Sequence, residues 1–346
     1  MKLWVKLILA GTLLLALAAG AGLYAAWRYT ETPLVPDSNA TAVFRVEAGE
    51  NLRTVSSRLE QEGLVRWAEA FRTYGRYRKL PLQAGEFELS PSMSPRRILE
   101  VLAFGKPILY RLHFAEGLTL REVAQAVGAT GLTTAERFLA ACRDRDYLQS
   151  RGVNATDAEG YLFPETYFFP RIPDQDPYPI LQALLDRFRS TVAALPQAGD
   201  PAALHRMVIL ASLVEKETAV PSERPAVAGV YANRLRLGML LQCDPTIIYG
   251  LGENFDGNLR RSHLQDAANP YNTYVHPGLP PGPICSPGKA ALLAASRPEE
   301  HDFLYFVARS DGSHHFSRTL REHTNAVIKY QREGRPFPQN PSTRND

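Results

Sequence analysis

The chain has 346 residues, of which 45% are apolar and 22% charged, and its net charge is +3. That is an ordinary globular composition with room for two or three modest domains. So mild a positive balance, with no basic stripe carrying interleaved aromatics, argues against nucleic-acid binding. Three cysteines without CxxC or other ligand spacing argue against a disulfide scaffold and a cysteine metal site.

The N-terminus stands apart. Lys2 and Lys6 precede an apolar run from Leu7 to Trp27, closed by Arg28. These 21 residues suffice to cross a hydrocarbon core of about 30 Å. A cleaved signal peptide is the alternative, and the small residues at 16–21 would permit cleavage. Signal cores are shorter, roughly 7–15 residues, so length and the flanking Trp27 favour a retained anchor. Lys2 and Lys6 would hold the N-terminus in the cytoplasm. Residues 1–28 are therefore expected to be a cytoplasmic stub and a single transmembrane helix, with everything after Arg28 outside the membrane. Residues 29–40, with Pro33 and Pro36 among polar neighbours, read as an extended linker.

A small α+β unit is expected over residues 41–108. Val43–Val46 reads as a strand, and Leu52, Val55 and Leu59 fall at helical spacing. A second helix is expected over Trp67–Tyr77 and a strand at Phe87–Leu89. Ser94 as cap and Pro95 in the first turn open a helix that runs to Phe104 and ends at Gly105. Glu-Ala-Gly-Glu-Asn-Leu-x-x-Val at 47–55 is echoed by Ala-Glu-Gly-Leu-Thr-Leu-x-x-Val at 115–123, each copy a strand, a glycine turn and a helix. In its hydrophobic pattern the first copy resembles a LysM domain, a small glycan-binding module.

Residues 130–200 mix helix and loop. Within them lies a compact aromatic and acidic stretch, Glu159-Gly160-Tyr161-Leu162-Phe163-Pro164-Glu165-Thr166-Tyr167. Leu204–Glu217 is predicted as a helix with Leu204, Met207, Val208, Ala211 and Val214 on its apolar face. Ser222 as cap, Pro225 in the first turn and Gly238 as terminator bracket a further helix. Six prolines between Pro270 and Pro287 make 269–288 a rigid loop, and Ser286-Pro287 opens a helix over Lys289–Ser296. A hairpin about Asp311-Gly312 joins Asp302–Arg309 to His314–Ser317, a last helix covers Thr319–Gln331, and residues 335–346 form a polar tail.

Several blocks in this order carry a family resemblance. They are Glu116-Gly117, the 159–167 stretch, Leu210-Ala211-Ser212-Leu213-Val214-Glu215-Lys216-Glu217-Thr218 and Ala232-Asn233-Arg234-Leu235 with Gly238-Met239. Gln242-Cys243-Asp244-Pro245-Thr246-Ile247-Ile248-Tyr249-Gly250, Tyr271-Asn272-Thr273-Tyr274 and Gly278-Leu279-Pro280-Pro281-Gly282-Pro283-Ile284 follow. Tyr305-Phe306-Val307, Phe316-Ser317 and His323 complete the set. Together they resemble the YceG-like family, the endolytic murein transglycosylases called MltG, over the whole chain. The resemblance implies a single-pass inner-membrane protein with an external catalytic domain, here 109–334. It implies cleavage inside nascent peptidoglycan glycan strands, leaving a 1,6-anhydro-muramyl end, without cofactors. Cell-wall synthases of the penicillin-binding type are the further candidate partners. The family's catalytic glutamate falls on Glu217. Cys243, where Thr or Ser is expected, and Cys285, where a small or polar residue is usual, depart from the pattern.

The chemistry is legible in the residues themselves. Cleaving a glycosidic bond needs a proton on the leaving oxygen, supplied by a carboxylic acid of raised pKa. A hydrolase adds a second carboxylate. A lytic transglycosylase needs none, because the muramic 6-hydroxyl attacks its own anomeric carbon and one carboxyl serves as acid and then base. Glu215 and Glu217 compete for that role. The helical wheel places Glu215 near the apolar face and Glu217 about 160° away, so periodicity favours Glu215 as the buried carboxyl. The resemblance favours Glu217 and leaves Glu215 as a supporting or ion-pairing residue. Gln242, Asn272, Thr273 and Tyr274 are hydrogen-bonding types suited to acetamido sugars, Tyr249 could stack on a sugar face, and Asp244 is either a turn cap or a substrate contact. His323 is a candidate support for the site. The histidines form no HExxH and no close cluster with Asp, so no metal is expected. An oxidising compartment would permit a Cys243–Cys285 bridge, though small buried thiols are the preferred reading. Two alternatives stay open: a peptidoglycan glycoside hydrolase with Asp244 as second carboxylate, and a non-catalytic wall-binding adaptor.

Overall fold

The apolar N-terminal run folds into one long helix, α1 (Leu3–Glu31). Its leucines lie open on every side, Leu14 68% and Leu15 72% exposed. A helix apolar all round and left open by the other described residues suits an apolar surrounding. From Leu7 to Glu31 it is long and apolar enough to cross a membrane. In the computed structural model, residues 3–218 and 220–332 are described; Lys2, one of the two lysines expected to set topology, and the tail 335–346 lie outside the described residues. The helix runs three residues past Arg28, into the stretch read as linker. There Tyr29 donates its hydroxyl to the Trp67 carbonyl at 2.9 Å and stacks on the Trp67 ring at 5.8 Å. Arg96 pairs with Glu31 at 3.1 Å and the Val35 N–H donates to the Pro91 carbonyl at 3.0 Å, so this stretch is tied down and is not an open spacer.

The described chain divides into two units. The first takes the chain through Tyr110 together with Phe168–Asp174; the second takes Arg111–Tyr167 and the chain from Gln175 onward. Beyond α1, the first unit contains β1 (Ala42–Val46), α2 (Leu52–Gln61), α3 (Ala68–Arg78), β2 (Gly85–Leu89) and α4 (Pro95–Phe104). β1 and β2 pair antiparallel with Phe44 opposite Phe87. Both phenylalanines are fully buried, with Val55, Leu59, Phe71 and Ile98, so helices and ribbon share one core. Ser94 caps α4 through the Arg97 N–H at 3.3 Å and Pro95 occupies its first turn, as expected.

The echoed motif is real at the level of local structure. β1 leads through Gly49 (φ 77°) to α2, capped by Asn51. β3 (Tyr110–His113) leads through Gly117 (φ 81°) to α5 (Leu120–Ala129), capped by Thr119 in a capping box with Glu122. Both glycines take the left-handed conformation that glycine adopts without steric cost.

The chain continues with α6 (Ala135–Ala141), α7 (Arg145–Ser150), β4 (Thr166–Phe169), which pairs with β3, and α8 (Tyr178–Val192). The helix α9 (Pro201–Glu217) follows, then α10 (Arg224–Arg236), α11 (Asp244–Leu251), α12 (Arg261–Leu264) and α13 (Lys289–Ser296). β5 (Tyr305–Ala308), β6 (His314–Ser317) and α14 (Leu320–Val327) close the chain. β5 and β6 form the expected hairpin, with Gly312 at φ 82° in its turn. The class is mixed α+β, with short two-stranded ribbons among helices.

At two helix starts the structure shows why the boundary differs from the sequence reading. α9 begins at Pro201 because Asp200 caps it, accepting from Ala202 and Ala203 N–H. α10 begins at Arg224, not at Ser222. A 3-10 turn occupies Pro221–Glu223, and no side chain caps α10.

Candidate functional site

Every residue of α9 from Met207 to Val214 is buried. A helix enclosed on all sides has no solvent face, so the wheel argument that separated Glu215 from Glu217 had no polar face to measure from. α13 and α10 pack against α9, and the proline-rich loop runs along it. That loop is held by the Ile284 N–H donating to Ser212 Oγ at 3.0 Å and the Cys285 thiol donating to the Ser212 carbonyl at 3.4 Å. The last turn of α9 thus carries two carboxyls into protein on opposite sides.

Glu215 is neutralised. Its side chain is 6% exposed, Oε1 pairs with Arg224 at 2.8 Å and Oε2 accepts the Gly288 N–H at 2.9 Å. Glu116 lies 3.7 Å from the same guanidinium. A Cβ at 288 would fall 1.9 Å from the Glu116 carboxylate, so a side chain there would force Glu116 to move away. Glu215 therefore fastens the start of α13 to the end of α9, with no free oxygen for a ligand.

Glu217 is different. It is partly exposed, and the site's nearby ion pairs go elsewhere: Arg224 to Glu215, and His314 to Glu223 at 2.6 Å. Burial of the carboxyl pushes its pKa upward; hydrogen bonds from the Tyr231 hydroxyl, 2.7 Å from Oε1, and from the Cys243 thiol oppose this. The charge of Asp244 adds to the rise and His314 works against it. A carboxyl so placed keeps its proton above the usual carboxylate range and can give it up locally.

The remaining sequence candidates separate into two groups. Asp244, exposed at the start of α11, accepts the Tyr274 hydroxyl at 2.6 Å, and exposed Gln242 precedes it in a left-handed turn at φ 50°. These three lie around Cys243, close to Glu217. Asn272 and Thr273 are fully buried in structural positions. The Asn272 amide donates to the carbonyls of His263, Leu264 and Asp266, clamping the loop, and Thr273 Oγ1 accepts the Cys243 N–H at 2.9 Å. Tyr249 donates to Glu159 at 3.0 Å and packs on Tyr271. His323 stacks on Tyr305 at 5.2 Å, its buried Nδ1 finding no partner among the described residues. The three cysteines are free and buried, so Cys243 and Cys285 are not bridged.

Residues 44–329 match the YceG-like family. The chain belongs to that family. It is 30% identical over 316 residues to the endolytic murein transglycosylase of Bacillus subtilis, covering 86% of this chain and 87% of that protein. It is 31% identical over 359 residues to a Streptococcus pneumoniae protein of the same name, covering 90% of this chain but 62% of the longer relative. The crystal structure of a YceG-like protein from Listeria monocytogenes superposes with a TM-score of 0.57 at 30% identity, covering 84% of this chain and 100% of that one.

Within this YceG-like chain, sequence reasoning overlooked Tyr231 and underused Glu159. No local pattern marks Tyr231, which reaches Glu217 only through helix packing. Glu159 is buried, accepts the Leu120 N–H and the Tyr249 hydroxyl, and is pushed by burial to a pKa of about 8. It lines a cavity of about 310 Å³ with Asp157, His205 and Tyr271. His205 lies twelve residues before Glu217 on α9, roughly 18 Å along the helix axis, so this cavity is separate from the Glu217 site.

Proposed function

We propose that this YceG-like chain is an endolytic murein transglycosylase, a carbon–oxygen lyase. It cuts the MurNAc–GlcNAc bond within nascent glycan strands and leaves 1,6-anhydro-MurNAc ends, terminating strand elongation. Glu217 is its acid and base. The observation that carries this reading is the contrast within one helical turn: Glu215 is locked to Arg224 and Gly288, whereas Glu217 accepts the Tyr231 hydroxyl and burial raises its pKa. The relatives named endolytic murein transglycosylase, one matched over 87% of its length, support the substrate class.

The chemistry then runs through one group. Protonated Glu217 gives its proton to the leaving glycosidic oxygen, and the resulting carboxylate takes the proton of the muramic 6-hydroxyl as that oxygen closes on the anomeric carbon. No water enters. Gln242, Asp244 and Tyr274, grouped beside Cys243, contact the sugar. Asn272, Thr273 and Tyr249 act behind them by fixing the loops. Residues 41–108 serve as a LysM-like glycan-binding element and 109–334 as the catalytic part. α1 anchors the chain in the inner membrane with the catalytic part outside, where cell-wall synthases work.

One observation favours a hydrolase as second reading: the Asp244 carboxylate is close enough to Glu217 to raise it and could orient a water. Mass spectrometry of products from uncrosslinked glycan strands decides. Transglycosylase products are lighter by one water than hydrolysis products. Fragments carrying that water refute the proposal, and an inactive purified chain would favour the adaptor reading.

A further inference from the structure

The partners of Glu217 are built as deliberately as the carboxyl itself. Tyr231 and Cys243 are both buried, 1% and 0% exposed; the Tyr231 hydroxyl donates to Glu217 Oε1 at 2.7 Å, and the Cys243 thiol is a second neighbour that acts to lower the same carboxyl's pKa. Neither is free to turn away. The Cys243 N–H donates to Thr273 Oγ1 at 2.9 Å, its carbonyl accepts from Thr246 Oγ1 at 2.7 Å, and Gln242 before it sits in a left-handed turn. The Tyr231 ring is braced edge-on by Phe306, with centroids 6.0 Å apart and planes at 88°. Packing alone asks for no hydroxyl at 231, since a phenylalanine ring would fill the same space.

We infer that Tyr231 and Cys243 are positioning residues that orient the Glu217 carboxyl and set how readily it parts with its proton. The inference rests on Glu217 being the acid. The two donors act on one carboxyl with unequal strength. A phenol is a good donor to a carboxylate, and a thiol is a weak one. Donors stabilise the ionised form, so each holds Glu217 below the value that burial alone would set. The other groups facing the carboxyl are Asp244 on α11, Tyr274 from the proline-rich loop and His314 on β6, itself paired to Glu223. A strong donor on one side and a weak one on the other leave the proton retained yet transferable.

The two positions therefore predict opposite shifts. Tyr231→Phe removes the strong donor and raises the Glu217 pKa. Cys243→Ser replaces the weak donor by a stronger one and lowers it. The test is the pH dependence of kcat/KM for the full-length chain in detergent, acting on purified uncrosslinked glycan strands. Its alkaline limb reports loss of the acid's proton. Tyr231→Phe is expected to move that limb to higher pH by about one unit, the scale of one hydrogen bond to a charged group. Cys243→Ser is expected to move it to lower pH, with KM unchanged in both variants. A merely structural role would lower activity without displacing the limb in opposite directions. Should Tyr231→Phe fail to fold, Cys243→Ala, which removes the thiol donor, takes its place with an upward shift. Limbs that stay at the wild-type position, or move together, overturn the inference provided Glu217→Gln is inactive. If Glu217→Gln retains activity, the reading beneath it fails instead.

Discussion

Exchanging Glu215 and Glu217 in turn for glutamine tests the proposal that the first carboxyl is structural and the second chemical. Glu215→Gln removes the charge that answers Arg224, whose side chain is only 9% exposed and whose Nε has no partner among the described residues. Breaking a buried pair from one side costs about 3–5 kcal/mol. Glu116, 3.7 Å from the guanidinium, takes over part of the compensation, so about 2–4 kcal/mol is expected here. For a unit of this size that lowers the melting temperature by roughly 5–15 °C. Glu217→Gln has the opposite signature. The amide still accepts the Tyr231 hydroxyl and no longer carries a carboxyl that burial disfavours, so the melting temperature should stay level or rise. The rate should fall at least ~100-fold, the scale of general acid–base catalysis. Rate on uncrosslinked strands and melting temperature are measured on the same preparations, at temperatures where each variant is folded. A Glu217→Gln enzyme that stays active, or a Glu215→Gln enzyme that loses its rate without losing stability, refutes the assignment.

Three further outcomes are expected. Glu159, raised by burial to about 8 from 4.5, binds more protons folded than unfolded, so its contribution to stability is full below about 4.5 and is lost as pH rises through about 8. Melting temperature should therefore decline across that window, and Glu159→Gln should flatten the decline; an unchanged slope refutes it. Thiol counting under denaturing, non-reducing conditions should return three free thiols, and a count of one would establish the bridge the structure lacks. A reporter active only outside the membrane, fused after Asp346, should be active, and a silent but intact fusion refutes the orientation read from Lys2 and Lys6.

Much of this chain was legible because its signals are local. An apolar run of this length makes a helix long and apolar enough to cross a membrane. Ser94-Pro95 starts α4, and Gly49 and Gly117 turn their strands into helices, whatever the rest of the chain does. The ordered motif blocks likewise pointed to Glu217 and to the family before any geometry was known. Local signals fail where a residue's environment comes from afar in sequence. Amphipathic reasoning needs a solvent face, and α9 has none from Met207 to Val214, so the burial of Glu215 and Glu217 depended on what packs around the helix end. Ser222 looks like a cap, yet Pro221–Glu223 forms a 3-10 turn whose glutamate reaches across to His314. Asn272 and Thr273 have the composition of sugar contacts, but the fold spends their polar atoms on its own backbone. The amino-acid sequence by itself determined the long apolar N-terminal helix and the order of the elements, because each is encoded within a few turns of chain. The tertiary structure alone decided that Glu215 meets Arg224 and that Glu217 meets Tyr231 and Cys243, because the energy of a buried carboxyl is set by neighbours that only packing brings within hydrogen-bonding distance.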